Sequence, residues 1–227
     1  LPDVGALIWR DNAAVRADVA RLVGWLRRQP DDVNTILPFD EVIETFNRTS
    51  DRLVFPGGMP NFGPMASIRI GDRAPIITRG PDGSQLIVSP WAWKSPQGRP
   101  VFNFRSDGRS FDGVTRCLIP TDGFFEFTDA PAADPPARGK PPKSKWAFTV
   151  AGLDWFCIAG VWRNDPQVGE AWAMLTCPPG KDIVPYHDRQ VVVLTPTDYA
   201  RWLTGEASSA ELCRPLAPGT LRVAQVR

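Results

Sequence analysis

Apolar residues follow two different rhythms along the chain. Over residues 13–28, Val15, Val19, Leu22, Val23 and Leu26 recur at three- and four-residue spacing, with the arginines mostly on the other side. That spacing predicts an amphipathic helix. Asp11-Asn12 can cap it, and Pro30-Asp31-Asp32 ends it. A second, shorter helix is expected over 38–46. Beyond residue 70 the rhythm changes to short β-type runs. Residues 74–77 and 86–88 read as strands joined by a turn at Gly80-Pro81-Asp82-Gly83. Further strands are expected at 117–120, 124–127, 146–150, 155–162 and 172–176. Residues 191–194 are apolar without interruption, the pattern of a central strand. Thr195-Pro196-Thr197-Asp198 then opens a helix, with Thr195 as the cap, Pro196 at the first helical position and Asp198 as the capping-box acid. Tyr199, Trp202 and Leu203 form its apolar stripe.

Residues 52–64 are rich in Gly and Pro and read as a loop. Residues 129–145 are rich in Pro, Ala and Lys. They read as an exposed loop between two strands, because strand signals continue on both sides. No repeat is present. The pattern predicts a single α+β domain over 1–227, with residues 1–50 as an N-terminal strand and helical part.

Composition narrows this further. The 24 Pro and 19 Gly in 227 residues imply many turns, which favours a β-rich fold over a helical bundle. Nine Trp and 12 Phe against 2 Tyr make the aromatics mostly apolar, suited to core packing or to stacking surfaces. No apolar run is long enough to cross a bilayer, and no secretory signal opens the chain. The four cysteines, Cys117, Cys157, Cys177 and Cys213, are widely spaced. They form no C-x-x-C pair, and one His cannot complete a usual zinc set. No metal and no cofactor are therefore expected. Cys117 and Cys157 lie in apolar runs and are expected to be buried thiols, which suits the cytoplasm. Net charge is +1. The cations Lys94, Arg99, Arg105, Arg109 and Arg116 nevertheless cluster, as do Arg138, Lys140, Lys143 and Lys145. Each cluster is either a phosphate-binding patch or an ordinary solvated surface.

Two residues carry candidate chemistry. His187 is the single histidine, set in Val184-Pro185-Tyr186-His187-Asp188-Arg189. It is the one side chain whose ordinary titration lies near neutral pH, and the flanking Pro and Asp-Arg suggest a held loop. Glu126 stands among Phe124, Phe125 and Phe127, just after an Asp-Gly turn. On a strand, Phe125 and Phe127 share one face and Glu126 turns the other way with Phe124. A carboxylate beside aromatics loses water and titrates higher, and with the imidazole it would make an acid/base pair. The alternative is a Glu on a solvated strand face, with His187 an ordinary surface or core histidine.

Seven segments, in order, resemble the SRAP family of SOS response-associated peptidases, the abasic-site-processing proteins. Three carry most of the resemblance. They are Asn103-Phe104-Arg105-Ser106-Asp107, then Arg116-Cys117-Leu118-Ile119-Pro120-Thr121-Asp122-Gly123-Phe124-Phe125-Glu126-Phe127, then Ile183-Val184-Pro185-Tyr186-His187-Asp188-Arg189. The others are Asn61-Phe62-Gly63-Pro64, Trp91-Ala92-Trp93, Ala159-Gly160-Val161-Trp162 and Leu175-Thr176-Cys177. Together they cover about residues 60 to 205. Relative to the family pattern, Asp107 replaces Glu, Phe125 replaces Tyr, Phe127 replaces Trp, and Gln190-Val191 replaces Met-Pro.

The resemblance implies a strongly curved, barrel-like, mostly antiparallel sheet with a few flanking helices. It implies binding of single-stranded DNA, or a single/double-strand junction, at an abasic site by a monomer in the bacterial cytoplasm, on the nucleoid when DNA-bound. In the family an N-terminal Cys crosslinks to the sugar aldehyde through its amine and thiol, closing a thiazolidine. Carried over by position, Glu126 and His187 manage proton transfers and Asn103 holds the sugar or the amine. Arg105 binds the adjacent phosphate, while Trp91, Trp93, Asn61 and Pro64 support the displaced strand.

One element is missing. No Cys precedes Cys117, and Gly5 or Ala6 stands where the family's nucleophile aligns. The chain is either a variant that lost the Cys or one whose functional form starts elsewhere. Two functions stay open: an abasic-site processor, or a non-catalytic binding module for single-stranded or damaged DNA. A general peptidase site of the Ser/His/Asp or metal type has no counterpart here.

Overall fold

A computed structural model describes residues 39–48, 53–58, 65, 67–129, 143–165 and 169–226. The expected helix over 13–28, the segment around Ala6, residues Asn61 and Pro64, and loop residues 130–142 lie outside the described residues. The first element is helix α1 (Phe39–Arg48), which buries Val42 and Phe46. Strands follow: β1 (Leu53–Val54), β2 (Arg73–Gly80), β3 (Gly83–Pro90), β4 (Trp93–Lys94), β5 (Pro100–Val101), β6 (Asn103–Arg105), β7 (Arg116–Thr121), β8 (Phe124–Asp129), β9 (Lys143–Val150), β10 (Phe156–Asp165), β11 (Gly169–Cys177), β12 (Gln190–Val191) and β13 (Val193–Leu194). A 3-10 turn (Pro196–Asp198), helices α2 (Tyr199–Thr204) and α3 (Ser209–Leu212), and strand β14 (Leu221–Gln225) complete the order.

The period of two along a strand decides where each core forms. On β7, Cys117 and Ile119 point into one core and Leu118 into another. On β10, Phe156 and Ile158 join the first, and Cys157 and Ala159 the second. On β11, Trp172 and Leu175 divide in the same way. These strands are covered on both faces, hence their near-continuous apolar runs. One face is covered by α1, α2 and α3, with Val42, Phe46, Tyr199, Trp202 and Leu212 in the core. The other is covered by a second sheet of order β14-β9-β8, which supplies Leu221, Phe148, Val150 and Phe124.

The expected barrel is corrected here. The large sheet runs β1-β3-β2-β7-β10-β11-β12, and its first and last strands do not pair. A barrel requires that closure. Both end strands are only two residues long, and the apolar face is covered by a separate sheet rather than by the large sheet curling on itself. The pairing is mostly antiparallel, with β1 on β3 and β6 on β11 as parallel exceptions.

Several local expectations change. The loop expected over 52–64 contains β1, paired with Ser84 and Gln85. Residues 190–194 divide at Val192: β12 pairs with β11 and β13 with β10, so the segment fills the fork between them. Thr195 makes no side-chain cap to the backbone; its hydroxyl donates to the Asp198 carboxylate at 3.2 Å instead. Arg116 leaves the basic cluster altogether. It is buried, lies 4.5 Å over the Trp202 ring, and donates to the carbonyls of Ala207 (2.9 Å) and Trp202 (3.4 Å) beyond and at the end of α2.

Candidate functional site

The two sheets share a corner. Strand β7 belongs to the large sheet and β8 to the small one, and only Asp122-Gly123 separates them. The turn passes close under β9: a Cβ added at Gly123 would lie 2.9 Å from the Phe148 carbonyl oxygen. Thr121 ties the corner, donating its hydroxyl to the Gly123 carbonyl at 2.7 Å. Where the sheets diverge, a cavity of about 440 Å³ opens between them. It is walled by Ile119, Ile158, Trp172 and Val191 from the large sheet and by residues 124–127 of β8.

Register puts Glu126 opposite Trp146 and Phe124 opposite Phe148, on the face turned toward the large sheet. Burial raises the Glu126 carboxyl above its ordinary value of 4.5; the His187 charge pulls it down and the Asp188 charge pushes it up. Both charges come from the segment between β11 and β12.

That segment is held at several points. The His187 N–H donates to the Ile183 carbonyl at 3.0 Å and the Tyr186 N–H to the same oxygen at 2.8 Å, a tight turn. The Tyr186 ring packs on Trp146 (centroids 4.8 Å) and Phe148 (5.2 Å), beside the strand pair that carries Glu126. The Asp182 carboxylate accepts the N–H groups of Gly219 and Leu221, tying the turn to β14. Arg189 donates to Asp107 at 2.5 Å and to the Thr176 carbonyl at 2.7 Å. His187 itself is exposed, and its Nδ1 lies 3.0 Å from the Arg189 N–H, which can donate to it.

Asn103 arrives from a third direction. Strand β6 pairs in parallel with β11, Asn103 beside Met174. The pleat sends Phe104 into the helix-covered core and leaves Asn103 and Arg105 on the opposite side. Ser106 locks the end of the strand, its N–H and hydroxyl both donating to the Thr176 carbonyl at 2.9 Å. Arg189 holds the next residue, Asp107, and the hydrogen bond keeps that carboxyl below its ordinary value. The spacing of Asn103 and Asp107 thus serves two jobs, a cavity wall and an anchor for the histidine segment.

Four candidates therefore meet: Glu126, His187, Asn103 and Trp91 all line the cavity. Trp91 lies flat on Trp172, with centroids 5.4 Å apart and planes 3° apart, and its Nε1 donates to the Phe102 carbonyl at 3.0 Å. Arg105 is exposed and does not line the cavity. Trp93 is also outside it, half-buried against Phe104 with Arg163 above its ring at 5.3 Å.

Three lining residues escaped the sequence reading. Asp122 reads in the sequence as a turn residue. Its Oδ1 is buried without a partner, and burial pushes its carboxyl up to about 6, against opposing hydrogen bonds from its own N–H and that of Gly123. Lys145 falls at the end of the expected exposed loop, whereas β8 ends at Asp129 and β9 begins at Lys143, so Lys145 is a strand residue. Arg189 follows His187 in the motif, and its bonds to Asp107 and Thr176 have no sequence signature. Among the described residues, no group of three or more His, Cys, Asp or Glu is arranged to hold a metal ion. No described helix is long and apolar enough to cross a membrane.

A cavity at a sheet corner, walled by a half-buried Glu on strand β8 and a braced His-Asp-Arg segment between β11 and β12, fits the motif order read in the sequence. The chain belongs to the SOS response associated peptidase (SRAP) family, whose model matches residues 85–227. It is 28% identical over 198 residues to the abasic site processing protein YoqW of Bacillus subtilis (strain 168), covering 78% of this chain and 81% of that protein. The YoqW protein of Bacillus phage SPbeta matches equally. Solved structures share the fold. A phage-related protein from Bordetella bronchiseptica has a TM-score of 0.63 at 19% identity, covering 87% of this chain and 94% of that one. A protein from Bacteroides thetaiotaomicron has a TM-score of 0.54 at 22% identity, covering 69% and 75%.

Proposed function

We propose that this protein recognises an abasic site in single-stranded DNA, or at a single/double-strand junction, and processes it in the cavity between its two sheets. The observation that carries the reading is the meeting of Glu126, His187 and Asn103, from three separate segments, on one cavity. The names of the YoqW relatives supply the substrate class. An abasic nucleotide lacks its base, so its sugar can enter a space that an intact nucleotide cannot. Its open form presents an aldehyde.

Each residue then has a task. Glu126, whose carboxyl burial raises above its ordinary value, gives a proton to the hydroxyl that leaves when an amine condenses with the aldehyde. His187, held by its Nδ1 and the braced turn, moves a proton at the sugar through Nε2. The Asn103 amide holds the sugar. Arg105 binds a phosphate of the strand outside the cavity, with Trp93, Asn61 and Pro64 along its path. Trp91, backed by Trp172, gives an adjacent base a flat surface. The protein acts as a monomer in the bacterial cytoplasm.

The test is incubation with single-stranded DNA carrying one abasic site, followed by borohydride trapping and denaturing electrophoresis. A shifted band is expected, forming about a hundredfold more slowly with Glu126→Gln. Neither a band nor binding at low salt would end this reading.

One observation favours the non-covalent alternative. None of the thiols of Cys117, Cys157, Cys177 and Cys213 lines the cavity. Cys117, Cys157 and Cys177 are buried, and desolvation pushes Cys177 up to about 12 and Cys213 up to about 11. A pure binding module would show affinity that falls with salt, no trapped band, and indifference to Glu126→Gln.

A further inference from the structure

We propose that Lys145 supplies the amine that bonds covalently to the abasic-site aldehyde in this chain. The proposal rests on the reading of the cavity as an abasic-site pocket.

Lys145 is the one lysine among the described residues that line the cavity. Its Nζ stands 3.6 Å from the centroid of the Phe125 ring, itself part of the wall. The register explains the placement. Lys145 pairs with Phe127 in β8, one step along from the Glu126–Trp146 pair. Successive residues leave opposite faces of a strand, so the lysine and the glutamate emerge on different faces of the hairpin. Strand β8 is the outer strand of its sheet, however, and residues of both its faces, Phe124 and Glu126 on one and Phe125 and Phe127 on the other, line the cavity. Both faces therefore meet the same space. The long, flexible lysine stem lets the amine swing off the Phe125 ring into it.

The aldehyde needs a nucleophile, and the cavity offers few. Among the described residues, its other nitrogens belong to Asn103, His187, Arg189, Gln190, two indoles and the backbone. None of these is a primary amine. A lysine amine is the ordinary protein partner of an aldehyde in imine formation.

The step balances without any redox partner. The ammonium first gives a proton to solvent or to a cavity carboxylate. The free Nζ lone pair attacks the aldehyde carbon, and the oxygen takes a proton, giving a carbinolamine. Glu126 protonates that hydroxyl, which leaves as water, and a C=N bond forms with a positive charge on nitrogen. His187 can then remove a proton from the adjacent sugar carbon. The electron pair forms a C=C bond as the neighbouring C–O bond breaks, and the phosphate leaves on the 3′ side. Water finally hydrolyses the imine and returns the amine. Unlike a thiazolidine, this link is reversible, and it ends in strand scission.

The test uses the full chain as wild type, Lys145→Arg and Lys145→Ala, with an abasic single-stranded oligonucleotide. Binding is followed by fluorescence anisotropy, and covalent capture by borohydride trapping with peptide mass mapping. Lys145→Arg keeps the charge and the contact with Phe125 but cannot form an imine. The expected result is a reduced adduct mapped to Lys145, with trapping lowered at least about tenfold in both variants while Lys145→Arg binds as wild type does. Equal trapping by Lys145→Arg, or an adduct mapped to the N-terminal amine or another lysine, would overturn the proposal. Binding of abasic DNA without any trapping would also overturn it and leave the pocket reading standing. No binding by the wild type would instead remove the pocket reading itself.

Discussion

Glu126 and His187 line one cavity and feel each other's charge, although one stands on strand β8 and the other in the turn between β11 and β12. Burial lifts the glutamate, and the imidazole acts against that lift. Two groups coupled in this way should not act independently. Removing both in a Glu126→Gln/His187→Ala protein should slow trapping by much less than the product of the single losses. Trapping rates for the four proteins of the cycle check this. Fully multiplicative losses would mean that the two side chains serve unrelated steps.

Asp122 costs the fold stability at neutral pH. Its carboxyl has an ordinary value of 3.8 and stands at about 6 in the fold. Between those values the folded state binds more protons than the unfolded one, so stability falls as pH rises through about 6. Asp122→Asn should therefore stabilise by on the order of 1–2 kcal/mol at pH 7.5, with the gain vanishing near pH 4. Chemical unfolding at both pH values decides the matter. A gain that is the same at both would assign the effect to something other than ionisation.

The bond between Asp107 and Arg189 has the opposite sign. The Arg189 hydrogen bond lowers the Asp107 carboxyl from its ordinary 3.8, so its contribution is present above that value and fades as pH falls through the lower folded value. The pair is partly exposed, so its main effect is positional. Asp107→Ala should change the thermal midpoint little while slowing trapping about tenfold, because the histidine segment loses an anchor. A large loss of midpoint with unchanged trapping by the remaining folded protein would refute this.

Gly160 has no room for a side chain. An added Cβ would lie 2.5 Å from Ile119 Cδ1 and 2.9 Å from both the Ala173 oxygen and Cys117 Sγ. Gly160→Ala should destabilise by about 1–3 kcal/mol through overpacking at the centre of the large sheet. Denaturant melts measure it directly. A neutral effect would show that β7 and β11 can spread apart at no cost.

What the sequence revealed, and what it hid, follows from burial. Strands β7, β10 and β11 were legible because they are covered on both faces and carry long apolar runs. Strand β14 left no trace, since four of its five residues are exposed and only Leu221 is buried. Strand β6 is three residues long and exists by pairing with β11, a contact that no local pattern encodes. The open sheet was missed because closure depends on which strands meet at the ends. In the site, Glu126 betrayed itself by its phenylalanine neighbours and His187 by being alone. Asp122 was hidden because an Asp-Gly pair is ordinary turn chemistry. Lys145 was hidden because the Pro-rich stretch before it masked the start of β9.

The central claim is that the cavity receives a sugar without its base. The most direct measurement compares the affinity of the wild-type protein for two single-stranded oligonucleotides that differ only by one abasic site, at fixed salt. The abasic strand should bind more tightly, and Asn103→Ala should weaken that preference while binding of the intact strand stays the same. Equal affinity for both strands would contradict it.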